Sequence, residues 1–344
     1  MASDSILLIL GPTAVGKSAV ALRLAERLGG EIVSADSRQV YRGMDIGTAK
    51  PSAAERARVP HHLIDILDPN ERFSAGLFRD LALAAISDIV ARGKRPIVVG
   101  GTSLYIKALL GDYELSSVPP DPDYRAALLA EEAAEPGTLH RRLSEVEPTA
   151  ASHLSPRDLP RLVRALELSR SDGSRPVPSG SHPANDCHCE ESPTKQPVLG
   201  RAQNGIPQFP IPNSQFLTFA LTASRPYVHR RINARVDAMF AAGLVEEVRA
   251  LLCKYPPESP GFTSPGYREL IAFLTRTRPL HTQRPGASVQ EPPSSETAAR
   301  ALIQRNTRRF AKRQLTWMKQ FDYVGVDIER LGESAAADFI LRSL

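Results

Sequence analysis

Residues 11–18 read Gly-Pro-Thr-Ala-Val-Gly-Lys-Ser, a GxxxxGK[ST] pattern set between the apolar run SILLIL and the helical pattern AVALRLAERLG. Glycines in such a loop let backbone N–H groups converge on phosphate oxygens at a helix N-terminus. Gly11, Pro12, Thr13, Ala14, Val15, Gly16, Lys17 and Ser18 are therefore the candidate phosphate-binding residues. Lys17 would neutralise charge and the Ser18 hydroxyl would ligate Mg2+, the cofactor that the pattern implies. The ligand of such a loop carries a di- or triphosphate. Asp36 closes the next strand-like run, EIVSAD. A carboxylate there either accepts a proton from a nucleophile attacking the phosphate-bearing substrate or holds Mg2+ through water. Thr13 can donate a hydrogen bond toward a bridging phosphate oxygen.

These groups meet only if strands and helices bring them together. From residue 5 to about 112, strand, loop and helix patterns repeat: SILLIL, EIVSAD and RPIVVGG alternate with helical segments, and FLTFALTA adds a further strand. Such alternation predicts an α/β fold, a P-loop NTPase-like parallel sheet flanked by helices, whose strand carboxyl ends line one ligand crevice. Residues 121–170 interleave charged and apolar residues with no strand candidate, which predicts a helical insertion subdomain. The expected organisation is thus a core at 1–112, a helical insert at 113–170, a mobile loop at 171–215 and the second part of the core at 216–344. Sixteen of the 29 prolines fall in 171–215 and 254–294, so both stretches read as mobile surface loops.

Composition narrows the class. Hydrophobic residues at 42% and charged residues at 24% of 344 exclude a wholly disordered or fibrous chain. No apolar run approaches the ~18 residues of a membrane span, and Asp4 stands where a signal peptide carries positive charge, so the expectation is a cytoplasmic protein; a monomer is expected as well. Three cysteines make no disulfide framework. His182, Cys187, His188 and Cys189 lack a second separated ligand pair, so they do not read as a zinc site. Cys253 reads as packing, and His61 and His62 as part of the crevice wall.

A net charge of +5 matters less than its distribution: residues 300–319 hold seven Lys or Arg and no acid. On a helix Arg305, Arg308, Arg309, Lys312 and Arg313 share one face, with Ile303, Phe310, Trp317 and Phe321 opposite. Uncompensated cations in one stripe favour a polyanion such as a phosphate backbone.

The motifs GPTAVGKS, ADSRQVY (35–41), MDIGTAKP (44–51), PHHLIDI (60–66), VGGTSLYIKALL (99–110), GYREL (266–270) and TRRFAKRQLTW (307–317) together resemble tRNA dimethylallyltransferases of the bacterial type. The resemblance covers nearly the whole chain outside the Pro-rich stretches. It implies transfer of a dimethylallyl (isopentenyl) group from dimethylallyl diphosphate to N6 of the adenine 3′ of the tRNA anticodon. In that scheme Asp36 is the general base, and Thr13 and Arg225 grip the diphosphate. Asp36, Ser37, Arg38, Gln39, Thr102, Arg125, Pro160, Arg161, Arg164, Gly266, Tyr267 and Arg268 fall where the family meets tRNA, beside the basic stripe. The chain departs from the family pattern at Ser155, Arg157, Pro265 and Met318. The residues alone leave two other enzymes open, one prenylating free adenine nucleotides and the other an ATP-dependent small-molecule phosphotransferase. A nucleotide-switched RNA-binding regulator is the alternative outside catalysis.

Overall fold

A computed structural model describes residues 5–111, 118–171, 216–277 and 291–344. The cluster at His182 to Cys189, the loop at 172–215 and the stretch 278–290 lie outside the described residues. The described chain forms two compact units, one of 5–111, 216–277 and 291–344, the other of 118–171.

The first unit is built on a six-stranded sheet: β1 (Ile6–Leu10), β2 (Glu31–Ala35), β3 (His61–His62), β4 (Pro96–Gly100), β5 (Phe216–Thr222) and β6 (Val324–Asp327), in the order β3-β2-β4-β1-β5-β6. Every pairing is parallel. Residues ILLIL of β1 and PIVVG of β4 are buried throughout, as central parallel strands covered on both faces must be. Helix α1 (Lys17–Leu28) follows β1, α2 (Ala53–Arg58) precedes β3, α3 (Ala75–Ala91) precedes β4, and α4 (Ser103–Leu110) follows it. Phe78 of α3 stacks on Tyr105 of α4 with ring centroids 4.4 Å apart, and neither ring reaches solvent.

The second unit consists of α5 (Pro122–Ala134), α6 (Thr138–Val146), α7 (Pro148–His153) and α8 (Leu159–Ser171), around Leu128, Leu139, Leu143, Leu162 and Leu166. The first unit resumes with α9 (Arg225–Ala241), α10 (Leu244–Leu252), α11 (Tyr267–Thr275), α12 (Glu296–Met318) and α13 (Ile328–Arg342). The pattern RINARVDAMFAAGLVEEVRALLCK reads as one helix but is two, because Gly243 takes φ 94° and turns the chain. Cys253 caps α10 and is exposed, not packed.

Residues 254–277 are only partly loop: a 3-10 turn spans Pro260–Thr263 and α11 spans Tyr267–Thr275. Leu270, Ile271 and Ala272 bury one face of α11, and that apolar run outweighs the surrounding prolines. His61 and His62 also differ from expectation: as β3 they pair with Ile32 and Val33, toward the amino end of the sheet, and Asp36 lies past its carboxyl end. There His62 joins Arg92 and Lys94 around the Glu31 carboxylate, which is 1% exposed. Hydrogen bonding by Arg92, against the opposing effect of burial and with help from Lys94 and His62, holds Glu31 far below the usual carboxylate range. A depressed carboxylate stabilises the fold above its unfolded pKa and loses that contribution as pH falls toward its folded value. Glu31→Gln should therefore cost about 1–3 kcal/mol at pH 7, and the gap to wild type should narrow below about pH 4. Urea melts at pH 7 and 3.5 check this; an unchanged gap would mean that ionisation contributes nothing.

Among the described residues no helix is long and apolar enough to cross a membrane.

Candidate active site

Three loops converge past the carboxyl ends of β1, β2 and β4. The loop after β1 is the phosphate loop. Its left-handed Gly16, at φ 110°, starts α1 so that the helix N-terminus faces into the loop. Ala14 also takes a left-handed φ of 66°, which costs a non-glycine residue about 1–2 kcal/mol. Arg231 of α9 offsets this by donating from Nε to the Ala14 carbonyl at 2.9 Å and pairing with Glu333 of α13 at 2.9 Å. The Lys17 Nζ donates to the carbonyls of Gly11 and Pro12, both at 2.9 Å.

After β2 comes Asp36, whose Oδ1 accepts the Arg38 N–H at 2.8 Å. After β4 comes Gly101, and Thr102 Oγ1 accepts the Ser37 N–H at 3.2 Å, tying the second loop to the third. Gln39 accepts from Ser34 Oγ at 3.0 Å and turns its amide toward the Thr48 and Ala49 carbonyls. The Arg38 guanidinium donates to Pro260 O at 3.0 Å. Asp36, Ser37, Arg38, Gln39 and Thr102 are thus brought together at the crevice.

The DIGTAKP segment is scaffold for this loop. Glu247 of α10 accepts the N–H groups of Asp45, Ile46 and Gly47 at 2.9, 2.7 and 3.2 Å. The Lys50 ammonium is buried between Tyr41 O, Asp45 and Asp65.

Two side chains from the far end of the sequence complete the site. Gln314 of α12 is buried; its Oε1 accepts the Thr13 N–H at 2.7 Å and its Nε2 donates to Gly101 O at 3.0 Å, linking the first loop to the third. A Cβ on Gly101 would meet that amide at 2.4 Å, so any larger residue there would push Gln314 off this bridge. Arg235 of α9 donates to Thr13 Oγ1 at 2.5 Å, while its Nε is buried without a hydrogen-bond partner among the described residues. Desolvation lowers the Arg235 pKa to about 10, with Asp36 opposing and Arg231 adding to the fall, so it stays cationic at neutral pH.

Arg235 stands where the sequence reading put Arg225. Arg225 is exposed in the first turn of α9, makes no hydrogen bond or ion pair among the described residues, and lines a separate basic cavity. Gln314 was also missed. Its signal was present: it continues the spacing of Ile303, Thr307 and Ala311, so a polar residue occupies a core position of the helix. The buried face of α12 is accordingly Ala299, Ile303, Asn306, Thr307, Ala311, Gln314 and Met318, with Phe310 and Trp317 only half-buried at its flanks.

Other expected RNA contacts divide. Tyr267 is fully buried, its ring against Gly47 and its hydroxyl donating to Glu247 at 2.5 Å, so its side chain serves the core. Gly266 and Arg268 flank it, both bonded to Glu269, which also accepts from Asn306 of α12. In the helical unit Arg125 is buried in a bidentate pair with Glu167 at 2.9 and 2.7 Å; a buried guanidinium needs such a partner, and this one is structural. Arg164 shares Glu167 and donates to Val118 O at 2.9 Å, whereas Arg161 and Pro160 remain partly exposed. On α12, Arg305, Arg309 and Lys312 are exposed, Arg308 donates to Asn233 at 2.7 Å, and Arg313 lies over the Phe310 ring at 5.8 Å.

Desolvation lowers the Lys17 pKa to about 8, partly offset by Asp36 and reinforced by Arg235. Anion binding needs the ammonium, so above pH 8 diphosphate must bring a proton with it. Affinity for inorganic diphosphate should weaken as pH rises from 7.5 to 9.5, approaching tenfold per unit, and Lys17→Met should remove the part owed to this group. Calorimetric titrations of both proteins across that range check it; parallel pH profiles would exclude Lys17 from the anion site.

Fold and site together define a P-loop α/β protein in which two desolvated cations, Lys17 and Arg235, stand at the loop beside one carboxylate. A family profile described as IPP transferase matches residues 39–321, and one described as isopentenyl transferase matches 4–67. A tRNA dimethylallyltransferase of Citrifermentans bemidjiense is 46% identical over 91% of this chain and 88% of its own length. One from Pelotomaculum thermopropionicum is 40% identical over 92% and 88%. The crystal structure of a tRNA isopentenylpyrophosphate transferase from Bacillus halodurans superposes with TM-score 0.61 at 34% identity, covering 98% of this chain and 96% of that one. A eukaryotic dimethylallyltransferase acting on tRNA shares the fold, with TM-score 0.65 at 23% identity over 94% and 73% of the two chains. The chain belongs to the IPP transferase family, whose members among these relatives are tRNA dimethylallyltransferases.

Proposed function

We propose that this protein transfers the dimethylallyl group of dimethylallyl diphosphate to N6 of the adenine 3′ of the anticodon in tRNA, acting in the cytoplasm as a monomer. The observation that carries the reading is the cluster at Thr13. Two cations, Lys17 and Arg235, and the Thr13 hydroxyl surround one loop, and both cations are within electrostatic reach of Asp36. Charge develops on the leaving diphosphate as the carbon–oxygen bond breaks, and preorganised cations and N–H groups in a desolvated site stabilise it. The adenine N6 forms the new carbon–nitrogen bond and gives its proton to the Asp36 carboxylate.

Mg2+ fits the donor set. The exposed Ser18 hydroxyl at the start of α1 is a hard oxygen ligand that would hold it, with waters and phosphate oxygens filling the rest of its shell and Asp36 left free to take the proton. When bound it would neutralise diphosphate charge. An adenine stacked in an anticodon loop cannot reach a recessed loop unless it is flipped outward, and the basic face of α12 is suited to hold the RNA while that happens.

Incubation with unmodified tRNA and labelled dimethylallyl diphosphate, against labelled ATP, tests the proposal. Prenyl label on tRNA is expected. Label transferred only as phosphate would identify a phosphotransferase, and label on free adenine nucleotides alone would identify the smaller substrate.

A further inference from the structure

The inward stripe of α12 is apolar at Ala299, Ile303, Ala311 and Met318, all buried. Gln314 stands in the same stripe at 3% exposure, where a leucine or methionine would pack without desolvating an amide. The amide is tolerated because both its ends are matched: Oε1 accepts the Thr13 N–H at 2.7 Å and Nε2 donates to Gly101 O at 3.0 Å. The match is directional. Turned over, the amide would set oxygen against oxygen and N–H against N–H. An ionised glutamate there lacks the donor and a lysine lacks the acceptor.

Thr13 is held at its other end as well. Its Oγ1 accepts from Arg235 Nη2 at 2.5 Å, and a guanidinium cannot accept in return, so the hydroxyl proton points elsewhere. The Val15 N–H turns back to Pro12 O at 3.4 Å. With its own N–H committed to Gln314, Thr13 has the hydroxyl proton left to offer an anion seated in the loop. Where that hydroxyl stands depends on the Thr13 backbone, and Gln314 is the side chain that fixes it.

We propose that Gln314 is a positioning residue for the leaving diphosphate, anchoring the Thr13 backbone so that the hydroxyl held by Arg235 directs its proton at the departing oxygen. This rests on the prenyl-transfer reading above. Gln314 itself touches no substrate and acts through Thr13. Displacing a group of the site by about 1 Å can lower a rate by about 10². The effect of the amide therefore belongs to the rate, although the outer face of the same helix carries the cation stripe.

A double-mutant cycle tests this, with single-turnover rates at saturating tRNA and dimethylallyl diphosphate. Gln314→Met keeps the packing and loses both hydrogen bonds; Thr13→Val keeps the N–H and the shape and loses the hydroxyl. Gln314→Met should lower the rate by about 10–10², and Thr13→Val by about 10²–10³. The double variant should be no slower than Thr13→Val alone, because without a hydroxyl its placement no longer matters. Gly101→Ala reaches the same amide from the other side, its Cβ meeting Nε2 at 2.4 Å, and should give a similar loss that Thr13→Val again absorbs. That variant decides the matter should the methionine protein fail to fold. Losses that multiply would mean that Gln314 does not act through the hydroxyl, and a near-normal rate in folded Gln314→Met would mean that it does not act at all; either overturns the proposal. Weakened tRNA binding with the rate retained at saturation would overturn it too, making Gln314 a support for α12. The same cycle read in calorimetric affinity for inorganic diphosphate should show weakening by Gln314→Met and none beyond that of Thr13→Val in the double variant. Absence of prenyl transfer by wild type would refute the functional reading, and the diphosphate cycle would still decide whether Gln314 works through Thr13.

Discussion

Asp36→Ala is expected to lower turnover by a factor of about 10²–10⁴ and to leave tRNA affinity nearly unchanged, because a general base acts chiefly in the transition state. The Asp36 carboxylate stands past the end of β2, one oxygen accepting the Arg38 N–H at 2.8 Å and its charge facing Lys17 and Arg235. Removing it also deletes that hydrogen bond, so the alanine variant alone confounds chemistry with loop order. Asp36→Asn keeps an acceptor oxygen for Arg38 but cannot take a proton, and its rate should fall nearly as far. Single-turnover rates of both, beside tRNA affinity and thermal stability, decide the matter. A near-normal rate for the asparagine protein would reduce Asp36 to a loop-ordering residue.

Arg235→Ala should lower turnover by about 10²–10³, the loss typical when one preorganised donor to a developing negative charge is removed. The guanidinium reaches Thr13 Oγ1 with one nitrogen and leaves Nε buried without a partner among the described residues, an arrangement that suits a site built to receive an anion. Arg235→Lys restores charge but not the planar fork, so it should recover only part of the rate. Arg225→Ala, from the same helix, should keep its rate once tRNA is saturating. If the two alanine variants exchanged these behaviours, the leaving-group role would return to Arg225. If neither lost rate, the cation support would come from Lys17 and Mg2+ alone.

What the amino-acid sequence determined by itself is whatever depends on contiguous residues or on a fixed period. The phosphate loop is legible because eight adjacent residues fix a backbone shape, and Asp36 because it ends an apolar strand. The parallel sheet follows from uninterrupted runs such as ILLIL, and the cation stripe of α12 from its helical spacing. The tertiary structure decided which arginine does what. Ten residues along an α-helix leave the side chain about 80° short of three whole turns and shift it about 15 Å, so Arg225 and Arg235 meet different surroundings although both are arginines on one helix. Arg125 carries the same charge yet is committed to Glu167, and Tyr267 is committed to Glu247. Gln314 joins the phosphate loop to Gly101 across a separation that no local pattern spans. A charged or polar group acquires its role from the groups that face it in three dimensions, and those neighbours are set by the packing of helices on the sheet, not by the residues beside it in the chain.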